Sequence, residues 1–253
     1  MNASGYIGFA HAVLKDKNGG HAKMASMHIA WIAHISYAWE REMGALINAP
    51  MGHGKTSLVA VGLPLFEMGS DVNTRIKIVS ATDQTARDRT GAIRSYIDED
   101  PDYRRLYPHV RPSKQDAAQQ RRRQWAGHKL FIQRTAPLTD ATLEAKGILS
   151  SGVGGRASLL IFDDPVDEKN SRSEIGRLAV LDKFEKEWMT RLEPTGRWAM
   201  ISTPYHHQDL NAHLRRNPRV CVLVQAISAD YRSIEYQVFN APDRDHPLMR
   251  FST

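Results

Sequence analysis

Residues 49–57, APMGHGKTS, constrain this chain more than any other stretch. An apolar run, 44–49 (GALINA), leads into them, and residues 55–68 beyond them read as a helix. Glycines let successive backbone N–H groups turn inward around phosphate oxygens, and a helix that starts immediately afterwards adds the positive end of its dipole. The stretch fits the P-loop pattern with Ala49 where a first glycine usually stands. Pro50, Met51, Gly52, His53, Gly54, Lys55, Thr56 and Ser57 form its nucleotide-binding set, in which Lys55 reaches the β- and γ-phosphates and the Thr56 hydroxyl sits on Mg²⁺. The alternative is a glycine-rich turn that binds nothing. By itself the loop does not separate a kinase, a GTPase and a motor ATPase.

The remaining pattern alternates short apolar runs with longer helical segments. Residues 75–80 (RIKIVS) read as a strand, and 83–97 as a helix with Ile93 and Ile97 on one face. A polar, proline-containing excursion, 101–127, follows, and then a short strand at 130–134. Residues 158–162 (SLLIF) have the unbroken apolar character of a parallel strand buried on both faces. Ser171 and Glu174 make a capping-box pattern opening a helix that carries Leu181, Phe184, Trp188 and Leu192 along one face. Residues 197–202 and 220–224 supply two more strands, and the chain after Gln225 reads as polar and irregular. The uncharged stretch 24–39 contains His28 and His34 and is too short to span a bilayer, so it reads as a buried or amphipathic helix. Trp31, Trp39 and Trp188 read as core or interface packing. The expected fold class is α/β, a mainly parallel central sheet with helices on both faces. Its expected parts are a helical lead-in (1–40), a P-loop core (41–225) and the start of a linker (226–253).

A P-loop site also needs a carboxylate at the end of a nearby strand. Asp163-Asp164-Pro165 follows SLLIF directly. Asp163 is the metal-side residue and Asp164 the general base that orients water, with Asp167 and Glu168 as standby bases. Two aspartates forming a turn before Pro165 is the plainer alternative. The run 197–202 leads into TPYHHQDL, which makes Ser202 and Thr203 candidate sensors of the γ-phosphate. With 253 residues the chain can bury a full core without staples. The single cysteine, Cys221, excludes an internal disulfide and favours a reducing compartment. Residues 1–14 lack the basic start of a secretory signal. A net charge of +6 tolerates a polyanionic partner without requiring one. The eleven histidines show no metal-ligand spacing, and the adjacent His206 and His207 are expected to point apart.

Five segments occur in a fixed order: INAPMGHGKTS, IKIVSATDQTARD, DPDYRRLYP, GVGGRASLLIFDDPV and WMTRLEPTGRWAMISTPYHHQDL. Through them residues 27–216 resemble the ATPase domain of the large terminase subunit of tailed bacteriophages, with GVGGRAS and the TRLEPTG turn the more specific parts. The resemblance implies a RecA-like, ASCE-type P-loop fold that uses ATP and Mg²⁺. It implies an ATP-hydrolysing motor that translocates double-stranded DNA into a procapsid, working as a homo-oligomeric ring with a portal protein and a small terminase subunit. The implied setting is the host cytoplasm, with transient docking on the procapsid and no membrane.

The resemblance also implies that Ser202-Thr203 couples hydrolysis to motion and that Arg156 is a finger toward a neighbouring subunit's ATP. It implies that His28 makes an adenine-side contact. For Arg156 an ion pair or a DNA-phosphate contact is the alternative, and for His28 a capped surface histidine. Many relatives carry an arginine where this chain has Met51, so that role is absent or taken elsewhere. Arg104, Arg105, Arg121, Arg122, Arg123, Arg215 and Arg216 are candidates for DNA-phosphate contacts without base readout. The chain after Val224 is too short for the family's RNase H-like nuclease, and Asp243 and Asp245 do not build a two-metal site, so no DNA cleavage is expected. The competing readings are a helicase-like DNA-dependent ATPase, which would need a second RecA-like domain, and a nucleotide-binding module without turnover. Asp164 in place of the usual glutamate gives the latter some weight.

Overall fold

The computed structural model describes residues 1–113, 127–151, 154–227, 234–243 and 245–248. Two helices, α1 (Ala3–Val13) and α2 (Ser26–Glu40), precede β1 (Gly44–Asn48), whose five residues are all buried. After the loop a wide π-helical segment, Thr56–Gly62, runs without a break into α3 (Leu63–Ser70). Pro64 lacks the N–H that would continue the regular ladder, which fits the widened turns before it. The chain continues through β2 (Ile76–Ser80), α4 (Asp83–Asp98), α5 (Pro101–Leu106), β3 (Lys129–Leu130), β4 (Leu143–Gly147) and β5 (Ala157–Asp163). Then come α6 (Glu168–Ser171), α7 (Glu174–Lys183), β6 (Leu192–Ser202), α8 (Leu210–Arg215), β7 (Val220–Ile227) and β8 (Ile234–Phe239).

The strands form one sheet in the order β3-β4-β2-β5-β6-β1-β7-β8. The six inner strands are parallel, and the edge strands β3 and β8 pair antiparallel. β6 therefore lies between the P-loop strand and the acidic strand. In register, Ser80 is opposite Asp163, Asp163 opposite Ile201, and Asn48 opposite Ser202, so these strands end level with one another. Alternate side chains divide between the two faces. Ile47, Ile78, Ile161, Ile201 and Leu223 belong to a core with α1, α2, α3 and α4. Leu46, Val79, Leu160, Phe162, Met200 and Val222 belong to a second core with Val180, Phe184, Trp188 and Leu210. The three tryptophans read as packing are buried, and each satisfies its indole N–H: Trp31 on Gln225 Oε1 (2.7 Å), Trp39 on the Trp198 carbonyl (2.8 Å) and Trp188 on the Ile148 carbonyl (3.0 Å).

Several local expectations are corrected. The excursion from residue 101 begins as the helix α5, anchored by fully buried Tyr103, whose hydroxyl donates to the Leu65 carbonyl at 3.0 Å. The short strand expected at 130–134 is only Lys129–Leu130, with Ile132 adding an isolated bridge to Pro112. The helix after the acidic strand starts at Ser173, whose hydroxyl accepts from Gly176 N at 3.0 Å, because a separate one-turn helix, α6, already uses Ser171. Leu192 is the first residue of β6, not the last on a helix face. Of the TRLEPTG turn, Thr190 and Arg191 end a 3₁₀ turn (Met189–Arg191) and the rest lies within β6 as a bulge: Ala157 pairs with Leu192 but Leu159 pairs with Arg197. Past Gln225 the described residues are not all irregular, since β7 runs to Ile227 and β8 pairs back along it. No helix among the described residues is long and apolar enough to cross a membrane.

Candidate nucleotide-binding site

The loop is anchored where β1 ends. Asn48 is buried, its Nδ2 donates to Asn211 Oδ1 at 2.9 Å, and its Oδ1 accepts from Arg215 Nε (3.1 Å) and Nη2 (2.8 Å). Ala49 N donates to the Ser202 carbonyl at 3.3 Å, extending the β1–β6 pairing by one residue. The chain then reverses through Gly52 (φ 81°) and Gly54 (φ 76°), a region that side chains disfavour. A Cβ on Gly52 would meet nothing, so its glycine is needed for conformation rather than for space.

Lys55 is the hub of the site. It is 4% exposed, and its ammonium donates to the Ala49 carbonyl (2.8 Å), Thr203 Oγ1 (2.7 Å) and Asp164 Oδ1 (3.4 Å). Burial lowers its pKa, and Asp164 opposes that shift. Asp164 Oδ1 also accepts the Thr203 N–H at 2.9 Å, so one carboxylate oxygen joins the P-loop lysine to the end of β6. Asp164 has left-handed backbone geometry (φ 44°), held by its own N–H on the Ile201 carbonyl at 2.9 Å.

Asp163 ends β5 with its carboxylate fully buried. Oδ1 accepts from the Thr56 hydroxyl at 3.0 Å and Oδ2 from Arg89 Nε at 2.6 Å. Burial raises its pKa, while the charge and hydrogen bond of Arg89 pull it back. A hydroxyl and a carboxylate set face to face at the start of a helix suit a hard divalent cation. The buried hydroxyls of Ser80 and Ser202, at the ends of β2 and β6, have no hydrogen-bond partner among the described residues and leave further oxygen donors at this end of the sheet. The residues present fit Mg²⁺.

His28 lies beside the loop. Its Nδ1 accepts from Ala25 N at 3.0 Å, which places the proton on Nε2, and Nε2 donates to the His53 carbonyl at 2.9 Å. A cavity of about 310 Å³ opens between the α1–α2 connection, the first turn of α2 and the loop, lined by Leu14, Met27, His28, Gly52, His53 and Leu58 among others. Its apolar wall beside the loop suits a planar base. Of the standby bases, Asp167 caps α6 by accepting from Asn170 N at 2.8 Å, and Glu168 is exposed in that helix.

Other expected residues lie elsewhere. Arg156 is exposed just before β5, at the opposite end of that strand from Asp163, with Nη1 donating to the Thr190 carbonyl at 3.2 Å. At about 3.3 Å per residue the strand separates the two by roughly 20 Å, so Arg156 does not serve its own P-loop. Arg215 is held by Asn48, Arg216 is exposed, Arg105 pairs with Asp102 at 3.0 Å, and Arg104 is exposed on α5. Arg121, Arg122 and Arg123 lie outside the described residues. His206 and His207 do not point apart: they lie beyond the end of β6, free of strand alternation, and their rings stack with centroids 4.2 Å apart.

Sequence reasoning missed two groupings that form only across long separations. One is Arg89 with Asp163. The other is His34, Cys221 and His246, whose donor atoms lie within 4.8 Å of one another. In that cluster Leu248 N donates to His246 Nδ1 (3.2 Å), His246 Nε2 to His34 Nδ1 (2.9 Å), and His34 Nε2 to the Cys221 carbonyl (3.2 Å). Every ring nitrogen is used, and the chain of bonds closes without an ion.

The strand order and the loop–strand arrangement together define a RecA-like P-loop fold. Among solved structures, the crystal structure of the HK97 bacteriophage large terminase is similar over 90% of this chain and 45% of that one, with a TM-score of 0.57 and 15% sequence identity. The chain thus shares that protein's fold and spans less than half its length. No protein-family model and no curated protein matches the sequence.

Proposed function

We propose that this chain is the ATP-hydrolysing motor domain of a viral DNA-packaging large terminase. The observation that carries the reading is the meeting of two adjoining hydrogen-bonded groups, Lys55 with Asp164 and Thr203 and Thr56 with Asp163, at the level ends of β1, β5 and β6. The fold shared with the HK97 large terminase supports the choice among P-loop ATPases.

In this reading the N–H groups of residues 52–57 hold the phosphates at the start of the helix. Lys55 leaves the Ala49 carbonyl for the β- and γ-phosphate oxygens, which restores to its ammonium the favourable field that burial removes. Thr56 and Asp163 hold Mg²⁺, which supplies neutralisation of charge on the phosphate oxygens. Asp164 orients the attacking water and takes its proton; its Oδ2 has no protein partner among the described residues. Because Thr203 bonds both Lys55 and Asp164, movement of the lysine or protonation of the carboxylate alters the end of β6 and the turn leading to α8. That is the coupling route from chemistry to motion. Arg156 acts on a neighbour's nucleotide in a homo-oligomeric ring around double-stranded DNA, where its planar charge neutralises the transition state. Portal protein and small terminase subunit are the partners at the procapsid in the host cytoplasm.

The test is steady-state ATP hydrolysis against protein concentration, with and without double-stranded DNA, for wild type, Lys55→Ala and Arg156→Ala. The rate per subunit is expected to rise with concentration and DNA, and both variants to be inactive. Wild type that binds ATP but never turns it over under any of these conditions overturns the reading.

A further inference from the structure

Asp163 and Asp164 face two cations, and the four groups are paired one to one: Lys55 with Asp164 (3.4 Å) and Arg89 with Asp163 (2.6 Å). Arg89 projects from α4, the helix that follows β2, whose last residue, Ser80, is in register with Asp163. A fully buried carboxylate without a counter-charge is costly, and Arg89 supplies that charge. Its manner of doing so is informative. A lasting clamp on a carboxylate normally uses the two-pronged fork of the guanidinium. Arg89 instead touches Asp163 through Nε alone. Its two Nη groups, four of the five donors that an arginine carries, have no protein partner among the described residues, and its side chain remains 25% exposed.

We propose that Arg89 is a hand-over residue. It neutralises and positions Asp163 while the site is empty, then turns its guanidinium to the terminal phosphate of a bound nucleoside triphosphate once a divalent cation takes the carboxylate. The proposal rests on the reading of this site as a Mg²⁺–nucleotide site. The charges account for the exchange: a divalent cation at Asp163 removes the anion that held Arg89, and the triphosphate offers new anionic oxygens next to Thr56, which holds the other oxygen of the same carboxylate. A diphosphate lacks the terminal group and gives Arg89 no such partner. Arg89 thereby distinguishes triphosphate from diphosphate within its own subunit.

The experiment is equilibrium binding of fluorescent ATP and ADP analogues to the full chain over a Mg²⁺ series, for wild type, Arg89→Gln and Arg89→Lys. In Arg89→Gln the affinity for ATP should fall on the order of tenfold relative to ADP, the loss of one charge-assisted contact. ADP affinity should hold, and half-maximal Mg²⁺ dependence should move to lower concentration because a competing cation is gone. If ATP and ADP affinities fall by the same factor and the Mg²⁺ requirement rises, Arg89 is a fixed clamp and the hand-over is wrong. Unchanged curves overturn it equally. Should Arg89→Gln fail to fold, Arg89→Lys carries the test: it keeps a charge opposite Asp163 but loses the fork, and must still lose preference for ATP. Wild type that binds neither nucleotide refutes the nucleotide-site reading itself, a result distinct from binding that persists without the predicted ATP–ADP difference.

Discussion

Asp164 adopts left-handed backbone geometry directly after an extended strand, at a cost on the order of 1 kcal/mol that aspartate and asparagine tolerate better than other side chains. The hydrogen bond from its N–H to Ile201, and that from the Thr203 N–H to its carboxylate, hold it there and aim it at the P-loop lysine. Asp164→Asn keeps the backbone tolerance and an oxygen for Thr203 but removes the base. Nucleotide binding should therefore persist within a few-fold while single-turnover hydrolysis falls about 10²–10⁴-fold. A near-normal rate would pass the role to another group, and Asp167 is already committed as a helix cap. His28 makes a subtler claim. Its imidazole joins the cap of α2 to the His53 carbonyl, so His28→Ala should weaken nucleotide binding by roughly fivefold, the worth of one neutral hydrogen bond, with little change in melting temperature. Unaltered affinity would reduce it to a surface cap. At this scale the convergence of Lys55, Thr56, Asp163, Asp164 and Thr203 was legible because their places follow from local order: strand, glycine turn, hydroxyl, strand-end acid. Arg89 was not, since nothing around it in sequence points to a carboxylate 74 residues away.

The strands show the same division between local and distant causes. β1, β5 and β7 could be read because inner parallel strands are buried on both faces and spell apolar runs, as does the end of β6 at 198–201, while β2 carries Lys77 and could be read from its alternation. β4 (LEAKG) could not, because its Glu144 is made tolerable only by its neighbours: Lys77 on β2, in register, at 2.6 Å, and Lys129 on β3 at 3.5 Å. β8 (IEYQVF) lies at an edge, where four of its six residues are exposed and the apolar signal thins. The bulge in β6 looked like a turn because proline and glycine mark both. Packing at the start of β1 gives a test at this scale. Gly44 faces the Trp198 indole of β6 so closely that an added Cβ would overlap the ring. Gly44→Ala must therefore displace Trp198, whose carbonyl also holds the Trp39 indole at 2.8 Å, and should lower stability by about 1–3 kcal/mol in urea unfolding. An unchanged midpoint would mean that the Trp198 ring swings aside freely.

For the molecule as a whole, the cluster of His34, Cys221 and His246 ties three distant parts of the chain together: α2, the start of β7 and the segment after β8. The directional chain from Leu248 N through both imidazoles to the Cys221 carbonyl requires each ring to be neutral with one defined tautomer. Burial pushes His34 down to about 3, with the neighbouring imidazole adding to the shift, and pushes His246 down to about 4, with Arg41 lowering and Asp243 raising it. Tyr37 lies against His246 with ring centroids 4.6 Å apart, and its hydroxyl donates to Asp243 at 2.7 Å, so the acid that could stabilise a charged ring is already engaged. Both folded-state values lie below the unfolded one near 6.5. The stabilisation is therefore complete above pH 6.5 and is lost as pH falls through 6.5 toward 4 and then 3. For fully buried His34 alone the loss between pH 6.5 and 5 is about 2 kcal/mol, at roughly 1.4 kcal/mol per unit. The melting temperature should accordingly drop between pH 7 and pH 5. Replacing His34 by glutamine, which hydrogen-bonds but does not titrate, should flatten that dependence even if it lowers stability at pH 7. The segment carrying His246 should also become more open to proteolysis at pH 5 than at pH 7 in wild type, because protonating His34 at Nδ1 sets two donors face to face across its bond to His246, and protonating His246 at Nδ1 does the same across its bond from Leu248 N. An equal pH dependence in wild type and His34→Gln would place the acid-sensitive group elsewhere and leave this cluster as packing alone.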